Sequence, residues 1–432
     1  MTHWGWMGSE DDRSANALAR TSVRATARDG PKNGPQNDDR PVRMNGVAHL
    51  TATCVRMLSE RDREWDARMT MIENAQRFLI LTTYYFDCDA RSGALAEALI
   101  AAARRGVRVV LVLDRFGQRL GERMNPPADR ARLAQRFRRL VDAGGCIVRY
   151  RPVSRRQRIF GGGLHVKIQV SEVGAAIFGS SNIAFHSFFQ WNEVSLQIEG
   201  ALAAHLLRDA CRYANLSAQD TASLEAMLPP PDTDAPSLPW RYLEDTPEAA
   251  MSRWFPFGAV RNRLTAELIA MIDGARASLL LTSFYYKPAP DLRDAVLRAC
   301  ARGVRVEIFH SHRDALEASA LPWLSTTFHF DALLRVGGCL YENTRGEHSK
   351  IVLVDGRTVA VGSYNFEHAA HDRLIEAMLF SDDTETCDAY ARWFDALRND
   401  PGNSMLRSSW ANDLPIATRA LRWCYRPLQR WI

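Results

Sequence analysis

The sequence predicts an α/β protein built from two homologous lobes. Three observations carry that reading: an internal duplication, an alternation of apolar runs with Ala/Arg-rich helical segments, and a Pro-rich stretch between the two copies. At 432 residues the chain has room for two to three domains. Hydrophobic residues make up 46% and charged residues 24%, which excludes a largely disordered or fibrous chain.

The duplication is visible element by element. Met71–Thr82 reads MIENAQRFLILT and Met271–Thr282 reads MIDGARASLLLT, an offset of 200. Each is a helix end followed by a strand-like run. Next, AARRGVRVVLVLD from Ala102 aligns with ACARGVRVEIFHS from Ala299. In both, an Ala/Arg helix stops at a glycine, Gly106 or Gly303, and a Val-rich strand follows. DAGGCIVRY from Asp142 then aligns with the segment from Leu334, which reads LRVGGCLYE. Each copy therefore predicts β-α-β-α-β followed by a strand-rich segment around a mostly parallel sheet. The expected organisation is an arm over 1–45, a first lobe over 46–215, a Pro-rich linker region over 216–244, a second lobe over 245–398 and a basic, Trp-rich tail over 399–432.

Net charge is +5, from 55 basic and 50 acidic residues. That excess is too small for a nucleic-acid coat and compatible with a local phosphate site. The eight cysteines form no CxxC pair, so neither a zinc ribbon nor a disulfide scaffold is expected. Cys146 and Cys339 follow Gly-Gly in both copies and read as small buried core residues. The N-terminal residues lack a signal-peptide core, and no run of 18 uncharged apolar residues occurs, so the expected location is the cytoplasm or, peripherally, the inner face of the cell membrane.

The chemistry lies in a second repeat. His165-Val-Lys167 and His348-Ser-Lys350 each open the pattern His-x-Lys-x4-Asp/Glu-x6-Gly-Ser-x-Asn. The acids are Glu172 and Asp355, the serines Ser180 and Ser363, the asparagines Asn182 and Asn365; Glu193 and Glu376 follow eleven residues later. Every pair is separated by 183 residues. His-x-Lys on a strand places both side chains on one face. Ile351–Val354 and Val359–Val361 suit a buried hairpin turning at Gly356. The set offers cations and hydrogen-bond donors without clustered carboxylates, which suits phosphodiester oxygens rather than Mg²⁺. His310 and His312, or His368 and His371, lack partners at metal-ligand spacing, and no metal or other cofactor is expected.

This paired motif resembles the HKD signature of the phospholipase D superfamily, and the two-lobe plan resembles its bacterial cardiolipin synthase branch. The resemblance implies two α/β sandwich lobes related by pseudo-twofold symmetry, sharing one active site. It implies metal-independent phosphodiester transfer on phospholipids through a phosphohistidine, as phosphatidyl transfer or as hydrolysis. Carried onto these positions, His165 is the nucleophile and His348 the general acid/base, an order that the analogy allows to be exchanged. Lys167, Lys350, Asn182 and Asn365 would bind the phosphoryl oxygens, assisted by Ser180 and Ser363. Glu193 and Glu376 would orient the histidines across the lobe interface. Glu172 and Asp355 would be structural, Glu172 departing from the usual Asp. The alternatives are a phosphodiesterase acting on nucleic acid and an inactive lipid-binding protein.

Three further features bear on the partner, expected to be a phospholipid and an anionic membrane surface. Arginines crowd 149–158 just before His165 and 130–139 upstream. The acid-free tail 414–432 places Arg419, Arg422, Arg426 and Arg430 on one helical face, a pattern suited to an anionic interface or to packing on the lobes. Tyr84-Tyr85-Phe86 and Phe284-Tyr285-Tyr286 stand at matching positions and read as pocket lining or core, with core favoured for at least half.

Overall fold

The computed structural model describes residues 48–230, 237–247, 254, 258–316, 321–412 and 414–425. The arm 1–45, residues 231–236 of the Pro-rich stretch and the tail beyond 425 lie outside the described residues. Residues from Gly46 onward form one compact unit.

In the first copy, β3 (Phe78–Thr83), helix α2 (Ala90–Arg104), β4 (Arg108–Asp114), helices α3 (Arg115–Met124) and α4 (Pro127–Asp142) and β5 (Cys146–Tyr150) make a parallel β3-β4-β5 unit. A short helix α5 (Arg155–Ile159) and β6 (Gly163–Leu164) lead to the motif hairpin, β7 (Lys167–Ser171) and β8 (Ala175–Gly179), and then to β9 (Ser195–Glu199). The second copy repeats the plan with β11 (Ser278–Ser283), α9 (Pro290–Ala301), β12 (Arg305–Ser311), α10 (Leu321–Arg335), β13 (Cys339–Asn343), hairpin β14 (Ile351–Val354) and β15 (Thr358–Gly362), α11 (His368–Asp372) and β16 (Leu374–Ser381).

The sheets are not mostly parallel as expected. The hairpin inserts antiparallel beside β3 or β11. With β1 (Ala48–Ala52), β2 (Cys54–Leu58), β10 (Leu238–Asp245) and β17 (Asn403–Met405), the orders are β2-β9-β8-β7-β3-β4-β5 and β1-β10-β16-β15-β14-β11-β12-β13-β17. Only the βαβαβ half of each sheet has the crossover helices that parallel neighbours need. β1 pairs with β10 in the second sheet, and β2 joins the first, so one short segment enters both sheets. Residues 216–244, read as linker, hold both β10 and helix α7 (Ala218–Glu225).

Period-two burial builds the layers. Ile80, Val112, Ile168 and Val170 face a central core shared with Leu280, Ile351, Leu353 and the helices α6 (Ala201–Tyr213) and α12 (Thr384–Arg398). Leu79, Leu81, Val109 and Leu111 face the opposite way, onto α2, α4 and helix α1 (Arg61–Asn74). Leu279, Leu281, Val306 and Ile308 do the same in the second lobe, against α9, α10 and helix α8 (Arg263–Asp273). Both sheets are thus covered on both faces, with the motif hairpins beside the central core.

Cys146 is exposed and Cys339 half-buried at the starts of β5 and β13, contrary to the core expectation. Helix α13 (Ile416–Tyr425) sits near α10: Arg422 donates to the Thr327 carbonyl, pairs with Asp331 at 3.3 Å and lies over Trp410. That arginine faces the body of the protein, while Ile416, Arg419 and Leu421 of the same helix are exposed.

Candidate active site

The chain delivers each motif histidine to a seam between the two sheets. β6 pairs with β16 of the other sheet, and the His165 amide donates to the Ile375 carbonyl at 3.0 Å. By the same symmetry the His348 amide donates to the Asn192 carbonyl at 2.8 Å. Ile375 and Asn192 immediately precede Glu376 and Glu193. The backbone register therefore sets each glutamate against the opposite lobe's histidine. His165 Nδ1 lies 2.9 Å from Glu376 Oε1 and 3.2 Å from the Ser363 carbonyl; His348 Nδ1 lies 2.8 Å from Glu193 Oε1. Acceptors on Nδ1 select the Nδ1–H tautomer and leave each Nε2 with a lone pair.

All eight of His165, Lys167, Asn182, Glu193, His348, Lys350, Asn365 and Glu376 are buried. Lys167 Nζ donates to the His165 carbonyl at 2.5 Å, and Lys350 Nζ to that of His348. Burial lowers the Lys167 ammonium to about 7, against the charge of Glu376. It lowers Lys350 to about 8, against Glu193 and Glu376. Burial also lowers both imidazoles, His348 to about 3 and His165 well below the ordinary value. The glutamates diverge. Burial pushes Glu376 up to about 8 against the pull of Lys167. For Glu193, burial is outweighed by His348, Lys350 and Arg61, and the carboxyl falls to about 2. Arg61 has no arginine counterpart near Glu376 among its main influences, so the duplication is electrostatically broken at this point.

Ser180 and Ser363, expected beside the substrate, are fully buried behind the site. Ser180 Oγ accepts from the Val194 amide at 3.0 Å and donates to the Val194 carbonyl at 3.1 Å. Ser363 Oγ donates to Glu376 and accepts from the Ala377 amide at 3.0 Å. Glu172 and Asp355 lie at the far end of the hairpins. Glu172 accepts from the amides of Gln76, Arg77 and Phe78, and Asp355 from those of Arg276, Ala277 and Ser278. The longer Glu side chain makes the same three-amide cap.

Both histidines, with Nδ1 taken up by a glutamate, line a cavity of about 780 Å³. Tyr84, Tyr85, Phe284 and Tyr285 line it, with Tyr84 edge-on to His165 at 5.0 Å and Phe284 and Trp191 each 4.8 Å from His348. Phe86 and Tyr286 are core. Sequence reasoning missed several residues that shape this site. Asp114 caps α3 through the Gly117 amide at 2.7 Å and holds the Leu164 amide at 2.9 Å, one residue before His165. Glu347 accepts from Asn192 of the other lobe at 3.2 Å. Lys287 and Glu367, 3.5 Å apart, line the cavity with Arg373, and Glu367 accepts from the Asn365 amide group at 3.1 Å. A signal existed for Asp114 alone, as the last residue of the first VLVLD strand. Among the described residues, no cluster of His, Cys, Asp and Glu is built to hold a metal ion.

Comparison with known proteins fits this geometry. The family model described as cardiolipin synthase, PLD-like domain, matches residues 69–212 and 268–398, which contain both motif copies. The chain belongs to this family. It is thereby a member of the phospholipase D superfamily of enzymes. Cardiolipin synthase A of Yersinia pseudotuberculosis serotype O:1b (strain IP 31758) is 27% identical over 350 residues, 79% of this chain and 68% of that protein. The same enzyme of Yersinia pestis gives the same values. Among solved structures, phosphatidylserine synthase from Haemophilus influenzae Rd KW20 superposes with a TM-score of 0.68 at 16% identity, over 90% of this chain and 96% of that chain. Polyphosphate kinase from Porphyromonas gingivalis gives 0.51 at 14% identity, over 94% of this chain and 57% of its own. These two likenesses concern the fold. No helix among the described residues is long and apolar enough to cross a membrane.

Proposed function

We propose that the protein is a phosphatidyltransferase of the cardiolipin synthase type, working through a phosphohistidine. The observation that carries the reading is the pair of histidines, each bonded at Nδ1 to a glutamate of the other lobe and both lining one cavity. His165 Nε2 attacks the phosphorus of a phospholipid, an N–P bond forms, and the P–O bond to the departing alcohol breaks. His348, which takes up a solvent proton at Nε2 as the anionic phosphodiester binds, gives that proton to the alkoxide and returns to the neutral imidazole. It then takes the proton of the incoming alcohol, whose oxygen attacks phosphorus and releases His165.

The assignment of roles rests on the unlike glutamates. A general acid needs an imidazolium, and an anion beside it favours that form. Glu193, held at about 2, is such an anion beside His348. The bound phosphodiester adds its own charge to the same end. Lys167, Lys350, Asn182 and Asn365 stabilise the charge that develops on the phosphoryl oxygens.

The test is incubation of purified protein with phosphatidylglycerol in EDTA. Cardiolipin and glycerol in equal amounts support the reading; phosphatidic acid alone indicates hydrolysis, and cleavage of DNA but no lipid refutes it. His165→Ala should abolish both turnover and acid-labile labelling of the protein by phosphorus-labelled lipid.

A further inference from the structure

Helix α3 carries two stripes at four-residue spacing that the chemistry above does not use. Phe116, Leu120 and Met124 are 46, 46 and 45% exposed, and all three line the cavity rim. Arg115, Arg119 and Arg123 stand one position back along the same helix. The buried side is made of Gly117, Gln118 and Gly121. A Cβ at Gly117 would fall 2.7 Å from the Tyr84 ring, and one at Gly121 2.8 Å from the Tyr85 ring. Each glycine costs a helix about 1 kcal/mol relative to alanine. The helix therefore gives up intrinsic stability to lie flat on the two tyrosines of the cavity, and this leaves its apolar stripe in solvent.

The neighbouring segment has the same character. Phe116 lies against Gly161, just beyond α5. Ile159 is 58% exposed and also lines the cavity, and Val153 is 84% exposed. Arg155, Arg156 and Arg158 lie between them in sequence and are exposed, and residues 151–165 contain no acid. On α3 the one acid, Glu122, accepts a bond from Gln118. Among the described residues of the second lobe, no α-helix stands between β12 and α10. From Asp114 to Cys146 is 32 residues and from Ser311 to Cys339 is 28, so the first connection is four residues longer, and α3 occupies it. A contiguous exposed apolar patch rimmed by arginine marks an interaction surface.

We infer that α3 and α5 form the face by which this protein docks on an anionic phospholipid bilayer. Phe116, Leu120, Met124 and Ile159 enter the headgroup–acyl boundary, and the arginines sit at the phosphate level. The cavity mouth then opens into the membrane, and a lipid reaches the histidines without crossing water. The choice of a bilayer as occupant rests on the phosphatidyl-transfer reading, on the continuity of the patch with the cavity and on the charge of its rim.

Docking is measured separately from catalysis, by flotation of the full-length protein with vesicles of phosphatidylglycerol and phosphatidylcholine or of phosphatidylcholine alone. Each arginine near such a surface contributes about fivefold to partitioning. Arg119→Gln with Arg123→Gln should therefore weaken binding to anionic vesicles by about 25-fold while retaining turnover of a short-chain phosphatidylglycerol below its micelle concentration. Phe116→Ser with Leu120→Ser should weaken binding that persists at high salt, where the charge contribution is screened. Undiminished flotation of both variants overturns the inference. So does loss of flotation from Arg426→Gln with Arg430→Gln while the Arg119 and Arg123 variant floats normally. If the wild type floats as expected and makes no cardiolipin, the docking face stands and the transfer reading fails.

Discussion

Replacing Glu193 with glutamine separates the roles of the two histidines. The side chains match in size, and Glu193 Oε2 has no hydrogen-bond partner among the described groups, so the amide fits without displacing a donor. What is lost is a buried negative charge 2.8 Å from His348 Nδ1. At an effective dielectric constant of about 20, the gross attraction between that charge and an imidazolium is about 6 kcal/mol. The amide oxygen and the other carboxylates recover roughly half, leaving about 3 kcal/mol, or roughly a 10²-fold loss in the protonation step. The loss should depend on the leaving group. With phosphatidylglycerol, whose alkoxide must be protonated as it departs, formation of the covalent intermediate should slow roughly 10²-fold. With a nitrophenyl phosphodiester, whose phenolate departs without a proton, the burst of nitrophenol should be nearly unchanged. Glu376→Gln, acting on the attacking His165, should slow both substrates alike. Rapid-mixing measurement of the first turnover decides the matter, with thermal melting to confirm folding. Equal slowing of both substrates by Glu193→Gln would show that His348 is not the acid, and a leaving-group dependence confined to Glu376→Gln would exchange the two roles.

The two lysines set the alkaline limit. Their pKa values are lowered from the usual 10.5, so the cations exist below about 7 for Lys167 and 8 for Lys350 and are lost as pH rises through those values. The kcat/KM for phosphatidylglycerol should fall above pH 7–8 in the free-enzyme profile, and a flat profile to pH 10 would contradict the phosphoryl-binding role. Glu172→Gln should cost about 1–3 kcal/mol of stability by weakening a three-amide cap, with kcat per folded molecule unchanged. A denaturant midpoint and an active-site titration check that pair. Gly117→Ala should destabilise by about 1–3 kcal/mol through overpacking, because its Cβ would meet the Tyr84 carbonyl oxygen at 2.5 Å. It should also lower kcat, since Tyr84 packs on His165. Gly144→Ala has nothing within 4 Å of its Cβ, so its cost arises from φ +94° alone and its kcat should stay normal.

The duplication and the motif were legible because both are local patterns. A strand's alternation, a helix stop at glycine and a two-residue step from His to Lys are written in consecutive residues. The fixed offset of 183 carried Glu193 and Glu376 into view as well. The direction of the sheet neighbours was not legible, because the hairpin's insertion beside β3 and β11 is a tertiary choice. Nor was the passage of β1 into the second sheet, since its partner β10 lies about 190 residues away. Arg61 could not be connected with Glu193 by spacing. It arrives on α1, donates to the Glu193 carbonyl and bridges to Glu64, which in turn accepts from Ser181 and Ser195. The cavity tyrosines were ambiguous for a different reason. Tyr84 and Phe284 follow the apolar strands without a break, and only the position of the opposite lobe makes their faces a cavity wall.

The cross-lobe exchange has a consequence for how the site is maintained. Each histidine depends on the other lobe twice, through a backbone bond and through a carboxylate one residue further on. A shift between the sheets that breaks the His165–Ile375 bond must also move Glu376, and one that breaks His348–Asn192 must move Glu193. Gln157 adds a third tie across the same seam, donating to the Asp372 carbonyl at 3.2 Å. It is buried, and its Cβ and amide oxygen crowd Gly162, three residues before His165. Gln157→Ala should therefore loosen both halves of the site together, lowering kcat for the nitrophenyl and natural substrates by the same factor. The first-turnover assay separates this from the leaving-group-dependent loss expected of Glu193→Gln. If Gln157→Ala leaves kcat unchanged while lowering the melting temperature, the seam is held by the strand register alone and the histidines do not depend on this tie.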